Sequence, residues 1–559
     1  MKGSQAIVRM LCEAGVDTLF GLCGDTSLPF YEALAGFQDS IRHVLTRDER
    51  SASFMADAYA RFSGKTGMCE GPSGGGALYI LPGVAEANQS SVPLVCITSD
   101  IDIGQRERGT LTELDQDALF RPITRWTRTP ASGKELPWVV REAFRRAVSG
   151  SLGAVHIGLP LSVQGSEVSD GDVVIDPGLG RYPVHRSAPE PDAVKRIASL
   201  LVESRRPVVV AGAGVIRSEA WPELKTLIEM LGCPVATSIS GKGAIAETHP
   251  LSLGVIGSNG GLPFRHDFLH RADLIFYVGC HAGSVTTLKW TLPPDNTKKI
   301  IQLDVDPSRI GVNYRVEAGI VADAKLGISA VSETVADLLG GGVADKIDPN
   351  RIAETRDAYF NTMDAFTSDA VPIRPERFVA EFSKALPEDA LVIADPGTPT
   401  PYLAAYYRLP KAGRRFVAPR AHGALGYALP AVVGAYFAAP EKKVVGVMGD
   451  GSFGISAGEL ETISRLHLPV MLIVLSNASF GWVKAGQKAM GSPFFGVDFS
   501  RTDHAAVARA FGLEAMRIDA PDELGAALEK GLKSRKPILI DVITQPLEEA
   551  QAPVSKWVA

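Results

Sequence analysis

Short apolar runs, almost unbroken and rich in Val, Ile and Leu, recur along the chain between stretches with helical spacing. Runs such as PLVCIT (Pro93 to Thr98), RPVVVAGAG (Arg206 to Gly214), ADLIFYVG (Ala272 to Gly279), KKIIQLDVD (Lys298 to Asp306) and PVMLIVLSN (Pro469 to Asn477) read as strands. A strand covered by helices on both faces needs this continuous apolar character, whereas a half-exposed strand alternates. The succession of such strands and helices predicts an α/β fold of doubly wound parallel sheets. Polar segments with proline and glycine break the rhythm near Ser166 to Pro191 and near Gly340 to Asn350. Three domains follow, at roughly 1–170, 190–340 and 365–559. The opening MKGSQAIVRMLCEAGVDTLFG reads as an amphipathic helix leading to a strand. No short-period repeat is visible, and the first and third blocks are candidates for similar α/β units.

With 559 residues the chain can bury several cores. Its 45% hydrophobic and 21% charged residues, with a net charge of −6, argue against disorder and against nucleic-acid binding through bulk charge. Six cysteines stand singly, without a CxxC pair or zinc spacing, as reduced thiols do. The N-terminus lacks the pattern of a signal peptide, and no apolar run approaches the roughly 20 residues of a membrane span. These features predict a cytoplasmic protein.

The strongest chemical signal follows the strand-like VVGVM (Val444 to Met448), which runs into Gly449-Asp450-Gly451-Ser452. A helix over Ala457 to Leu466, with Leu460, Ile463 and Leu466 inward, and a second strand ending at Ser476-Asn477 complete a βαβ unit. Asp450 and Asn477 are thereby brought to the carboxyl edge of one sheet, where open α/β sheets bind ligands. Mg²⁺ prefers hard oxygen ligands and keeps phosphate oxygens in its shell. Asp450, the Asn477 amide oxygen and the carbonyl of Ser479 supply such a set, and Gly449 and Gly451 let backbone N–H groups approach phosphates. The competing reading is an Asp-Gly turn followed by an unrelated Asn cap.

The stretch GDGSFGISAGELETISRLHLPVMLIVLSNASFGW resembles the thiamine diphosphate signature of acetohydroxyacid synthases, pyruvate oxidases and their relatives, with Ser476-Asn477 in place of the usual Asn pair. A second segment, TRDERSASFMADAYARFSGKTG, resembles that family's glutamate-bearing helix and puts Glu49 at the catalytic position. Met55, Ala58, Tyr59 and Phe62 then form a buried face that holds the carboxylate rigidly. In the family this glutamate hydrogen-bonds the pyrimidine ring of the cofactor and promotes its activation; the alternative is a solvated first-turn acid. Further matches are LFGLCGDTSLPFYEAL (Leu19 to Leu34), AHGALGYALPAVVGA (Ala421 to Ala435) and Asp395-Pro396-Gly397-Thr398. The resemblance implies that Leu425 wedges between the cofactor rings and that the Gly423 carbonyl accepts from the 4′-amino group. It also implies that Gly397, Thr398, Gly449, Gly451, Ser452, Phe480 and Gly481 line the cofactor. Three α/β domains are implied, binding the pyrimidine, a nucleotide-like moiety and the diphosphate. The central one holds FAD or ADP in some members, and Gly212-Ala213-Gly214 is its only nucleotide signal here. Because the family builds each site from two subunits, a homodimer or homotetramer is implied.

The expected activity is carboligation or lysis next to the carbonyl of a 2-keto acid, in the manner of acetolactate synthase. The alternatives are a 2-hydroxyacyl-CoA lyase or oxalyl-CoA-decarboxylase-like enzyme and a catalytically silent cofactor-binding subunit. Several positions depart from a true synthase: Gly486 replaces an acceptor-selecting Trp, Trp482 a Met, and Asp100 a Gln. Pro72 stands where benzoylformate decarboxylases carry a catalytic His. Glu70 is read as a paired buried charge or, alternatively, an active-site acid. His422 is a candidate proton relay or a backbone-bonded histidine. Arg125 suits a substrate carboxylate or CoA phosphate, or simply the surface, and His281 reads as a surface or interface residue.

Overall fold

Among the described residues eighteen strands form, the five expected apolar runs among them, while edge strands such as Arg42–Leu45 and Glu514–Ile518 are polar and partly exposed. The computed structural model describes residues 1–294, 297–344, 346–550 and 552–555. The first sheet holds β1 (Thr18–Gly21), β2 (Arg42–Leu45), β3 (Gly67–Gly71), β4 (Leu94–Asp100), β5 (Trp126–Arg128) and β6 (Ala154–Pro160). The second holds β7 (Pro207–Ala211), β8 (Val235–Thr237), β9 (Ser252–Val255), β10 (Leu274–Val278), β11 (Lys299–Asp304) and β12 (Ala318–Val321). The third holds β13 (Leu391–Ala394), β14 (Phe416–Val417), β15 (Val444–Gly449), β16 (Met471–Ser476), β17 (Glu514–Ile518) and β18 (Ile538–Ile543). Strand pairs such as β3–β4, β7–β10 and β15–β16 run parallel, and the central strands β4, β7 and β16 are buried along their whole length.

The first and third sheets share one strand order, β2-β1-β3-β4-β6-β5 and β14-β13-β15-β16-β18-β17, so the two outer blocks are the same unit used twice. The middle sheet runs β12-β11-β10-β7-β8-β9, the order of a dinucleotide-type fold. In each outer sheet the chain leaves its first strand toward one edge and returns on the other side. A crevice is left between β1 and β3 in one, and between β13 and β15 in the other.

The outer domains are joined by two helices, Glu49–Ser63 and Ala428–Ala438, whose residues belong to one continuous core. Asp48 caps the first by accepting from the Arg50 N–H at 2.7 Å, and Gly64 ends it in the left-handed region (φ 72°). The expected buried face of Met55, Ala58, Tyr59 and Phe62 is present, but Ala52, Phe54, Ala56 and Ala60 are buried too, because the second helix covers the opposite side. A Cβ on Gly434 would stand 2.0 Å from the Met55 carbonyl oxygen, so the glycine sets how closely the helices approach.

The helix expected at Ala457 to Leu466 begins earlier. It starts at Asp450, directly off β15, passes through a 3₁₀ turn at Ala457–Glu459 and ends at Arg465. It does so despite Gly451 and Gly454 in its first two turns. Leu460 and Ile463 are buried as expected, while Leu466 lies half-buried just past the end.

Gly434→Ala should destabilise the protein by about 1–3 kcal/mol through overpacking, despite the gain in helix propensity. Gly486→Ala, inside the helix Gly481–Ala489 with no neighbour within 4 Å, should instead stabilise by up to about 1 kcal/mol through helix propensity. Chemical denaturation of both variants checks the pair; equal stability would mean that the helix seam yields freely.

Candidate active site

At the crevice of the third sheet, β13 leads through Asp395–Thr398 into the helix Pro399–Tyr406, and β15 leads from Gly449 into the helix Asp450–Ser456. β16 leads through Asn477–Phe480 into the helix Gly481–Ala489. Asp450 Oδ2 accepts from the backbone N–H groups of Asn477 (2.8 Å) and Ala478 (2.6 Å), and Oδ1 from that of Gly451 (2.9 Å). The Asn477 amide oxygen accepts from the Ser479 N–H and hydroxyl, each at 3.2 Å. Ala478 carries φ 58°, a left-handed conformation costly for a non-glycine residue, and thereby turns the chain back on Asp450.

The three helix starts meet. A Cβ on Gly481 would lie 3.2 Å from Asn477 Nδ2 and 3.4 Å from Thr398 Oγ1, and one on Gly451 would lie 2.6 Å from the Phe480 ring. Helix N-termini carry unpaired N–H groups and partial positive charge, so this cluster suits a multiply charged anion. Of the two glycines expected to admit phosphate, Gly449 faces open space, whereas Gly451 is covered by Phe480 and lies inside the helix. Gly397 takes φ 103°, and a Cβ there would lie 4.0 Å from Leu425 Cδ2.

Ser452 donates its hydroxyl to Asp395 at 2.7 Å, and Ala428 donates its N–H to the other Asp395 oxygen at 2.7 Å. This aspartate, fully buried and pushed up to about 7 by burial, ties the segments after β13 and β15 to the loop 423–427. In that loop Gly423 is exposed at φ 64° and Leu425 is half-buried. The His422 ring is exposed, while its N–H is taken by Glu86 at 2.9 Å.

Asp450 is buried, its pKa is raised by burial, and no cation of the described residues pairs with it. A buried carboxylate normally has such a partner. With the Asn477 amide and the Ser479 carbonyl it offers the hard oxygen set of Mg²⁺. No group of three or more His, Cys, Asp or Glu among the described residues is placed to hold a metal. Ser476, where the signature usually has another Asn, bonds Asp541 at 2.5 Å and His504 Nδ1 at 3.0 Å beneath the site.

Glu49 is the first residue of its helix and buried, its carboxylate bonds a backbone N–H at its own position, and no ion pair among the described residues engages it. Burial raises its pKa. Cβ atoms on Gly76 and Gly71 would lie 3.1 Å from Glu49 Oε1 and 3.4 Å from its Cγ, so two glycines leave room for it. The reading of Glu70 as a paired charge needs correction. Glu70 lies fully buried at the end of β3, and no cation of the described residues meets it. The Tyr31 hydroxyl donates to its Oε2 at 2.8 Å, while its Oε1 has no partner. Burial pushes this acid up to about 8.

The other singled-out residues divide between the crevice and structural tasks. Asp100, at the end of β4, is paired with Arg106 at 2.8 Å. Arg125 donates to the carbonyls of Arg146 (2.9 Å) and Ser149 (3.0 Å) at the end of the helix Leu136–Val148, and so caps that helix rather than awaiting a substrate. Trp482 is half-buried against the third core. His281 is exposed, 3.9 Å from Asp304. Gly212 and Gly214 are filled by their own neighbour, since a Cβ on Gly212 would meet the Gly279 carbonyl at 2.1 Å. They let the turn after β7 pack closely on the end of β10, and Gly214 and Gly279 line a cavity with Arg217, Ser218 and Asp304. Sequence reasoning missed Asp57, Glu86 and Ala478, none of which carries a local motif.

Residues 1–119 match the family model described as thiamine pyrophosphate enzyme, N-terminal TPP binding domain. Residues 194–331 match the central domain of the thiamine pyrophosphate enzymes, and residues 395–542 their C-terminal TPP binding domain. The chain is 33% identical to the "Probable acetolactate synthase large subunit" of Methanocaldococcus jannaschii, over 98% of this chain and 93% of that protein. It is 31% identical to the acetolactate synthase large subunit of Corynebacterium glutamicum, over 99% of this chain and 88% of the relative. It is 28% identical to the glyoxylate carboligase of Escherichia coli O157:H7, over 98% and 93%.

Glu70 makes the acid in the first crevice measurable. Its ordinary value is 4.5 and its folded value about 8, so between these the folded chain keeps a proton that the unfolded chain has lost. Stability therefore falls as pH rises through that window and levels off above it. Glu70→Gln removes the effect, and its stability relative to the parent should grow by about 1 kcal/mol per pH unit between those values. Urea unfolding at several pH values checks this; a pH-independent difference would contradict a neutral buried acid.

Proposed function

The chain belongs to the thiamine pyrophosphate (thiamine diphosphate) enzyme family, and from that premise we propose a carboligase or lyase that acts beside the carbonyl of a 2-keto acid, with Mg²⁺ as its metal. It is a thiamine-diphosphate-dependent enzyme. The observation that carries the site assignment is the meeting of three helix starts around an Asp450 that no ion pair of the described residues engages. Asp450, Asn477 and the Ser479 carbonyl hold the metal in this reading. Backbone at Gly397, Thr398, Gly449, Gly451, Ser452, Phe480 and Gly481 faces the diphosphate. Because the Ser452 hydroxyl serves Asp395 and Gly451 lies under Phe480, only main-chain groups are assigned there.

When bound, the cofactor supplies a nucleophilic carbon for addition to a carbonyl and an electron sink for cleavage beside it. Glu49 holds or releases one proton at its carboxylate, which burial keeps desolvated and ready for exchange. Leu425 and the Gly423 carbonyl orient the rings, and the exposed His422 imidazole is assigned as a proton relay at the rim. Within one chain no hydrogen bond or ion pair of the described residues links Glu49 to the Asp450 edge. This supports sites completed by a second copy, in a homodimer or homotetramer.

Relatives named acetolactate synthase and glyoxylate carboligase support joining of small keto acids, and they do not favour the acyl-CoA reading or a silent subunit. The open position at Gly486 supports an acceptor pocket unlike that of the synthases. No step is assigned to FAD or ADP in the central domain. Domain limits of 1–170, 190–340 and 365–559 are proposed, the last ending in residues outside the described ones. No helix of the described residues is long and apolar enough to cross a membrane, and the six cysteines are free, which supports a cytoplasmic setting.

The deciding experiment is a panel of 2-keto acids and hydroxyacyl-CoAs, assayed with and without a second keto acid. Keto-acid turnover with a new carbon–carbon bond is expected, and turnover of the thioesters alone would replace this reading. Glu49→Gln should lower kcat by about 10²–10⁴ while calorimetry still detects cofactor binding. Asp450→Ala should abolish the Mg²⁺ dependence of that binding; an unchanged titration would remove the metal assignment.

A further inference from the structure

A carboxylate of the first domain grips the backbone of the third. Glu86 lies in the helix Leu81–Gln89 and is fully buried. Its Oε1 accepts from the N–H groups of Arg420 (3.1 Å) and Ala421 (3.2 Å), and its Oε2 from that of His422 (2.9 Å). Successive N–H groups turned on one carboxylate form the concave donor array with which backbone holds anions. Ser90 adds a hydroxyl bond at 2.9 Å, and the Arg61 guanidinium stands 3.4 Å away, so the charge is compensated inside the protein.

The far side of the loop is fixed by other acids, one of which shares Arg61 with Glu86. Tyr427 donates its hydroxyl to Asp57 at 2.5 Å, Asp57 pairs with Arg61 at 2.7 Å, and the Ala428 N–H goes to Asp395. Between these anchors Gly423 and Gly426 take φ 64° and 80°, His422 and Gly423 are exposed, and Ala424 and Leu425 are half-buried. A tip so lightly packed samples many conformations unless its ends are held.

We infer that Glu86 is a positioning residue, which holds residues 420–422 from the first domain so that Gly423 and Leu425 meet thiamine diphosphate in one geometry. The inference rests on the reading of the 423–425 tip as a cofactor contact. Glu86 itself acts only through the loop, by setting the fraction of molecules whose tip is in place. Its loss lowers apparent cofactor affinity by that fraction, while saturating cofactor restores the population and with it kcat.

Hydrogen exchange of the cofactor-free full chain tests the clamp directly. In Glu86→Gln, protection of amides 420–422 should fall by about tenfold or more, as expected when bonds to a charged acceptor are weakened. Titration with thiamine diphosphate and Mg²⁺ should then show Kd raised about tenfold, with kcat at saturating cofactor within about twofold of the parent. Should Glu86→Gln fail to fold, Glu86→Asp, which keeps the charge but retracts the carboxylate, carries the same readouts. Unchanged protection in a folded variant overturns the proposal, as does a loss of kcat that saturating cofactor does not repair. Leu425→Ala separates the two ideas. If it weakens cofactor binding and Glu86→Gln does not, the positioning role is wrong; if neither weakens it, the cofactor reading of the tip fails and the proposal falls with it.

Discussion

Asp450 is caught by the main chain of the neighbouring crossover, and the chemistry of the third domain is arranged round that capture. Because its carboxylate accepts from residues 477 and 478, the end of β15 and the turn after β16 cannot drift apart, and three helix starts are held in one place. The partial positive charge of the three starts converges there, and Arg501 and Arg517 line the same cavity as Asp450 and Asn477. The strained backbone at Ala478 is the local cost of the arrangement.

Buried acids recur through the outer domains, and each is accommodated differently. Asp395 is served by a hydroxyl and N–H groups, Glu86 by N–H groups and an arginine, and Glu70 by a tyrosine hydroxyl. Glu49 has only a backbone N–H at its own position, and no ion pair among the described residues engages it. In the proposed reading Asp395 and Glu86, which hold segments together, have partners on both oxygens, and Glu49, which handles a proton, has no side-chain partner among the described residues.

The strands were legible in the chain because burial on both faces leaves an unbroken apolar signature. The pairing of Asp450 with Asn477 was legible because a βαβ unit has a nearly fixed span. Glu49 was legible through the resemblance of its helix to a known segment, and its isolation only from coordinates. What stayed hidden has a common cause. Glu86 meets its partners across more than 330 positions and Asp57 meets Tyr427 across 370, and no local pattern reports a contact of that separation. Arg125 misled for the opposite reason, since a guanidinium that caps a helix and one that awaits a phosphate look alike in a list of residues.

The seam at Met55 and Gly434 bears on how this polypeptide can be cut and rejoined. Two linkers invite division of the chain into three modules, yet the outer modules share a core whose facing helices touch backbone to backbone. A fragment ending before residue 428 would leave the Glu49 helix with a bare apolar flank, and one starting after residue 63 would do the same to its mate. Recombination among relatives therefore has to exchange both helices as a matched set, however innocent the intervening breakpoints look.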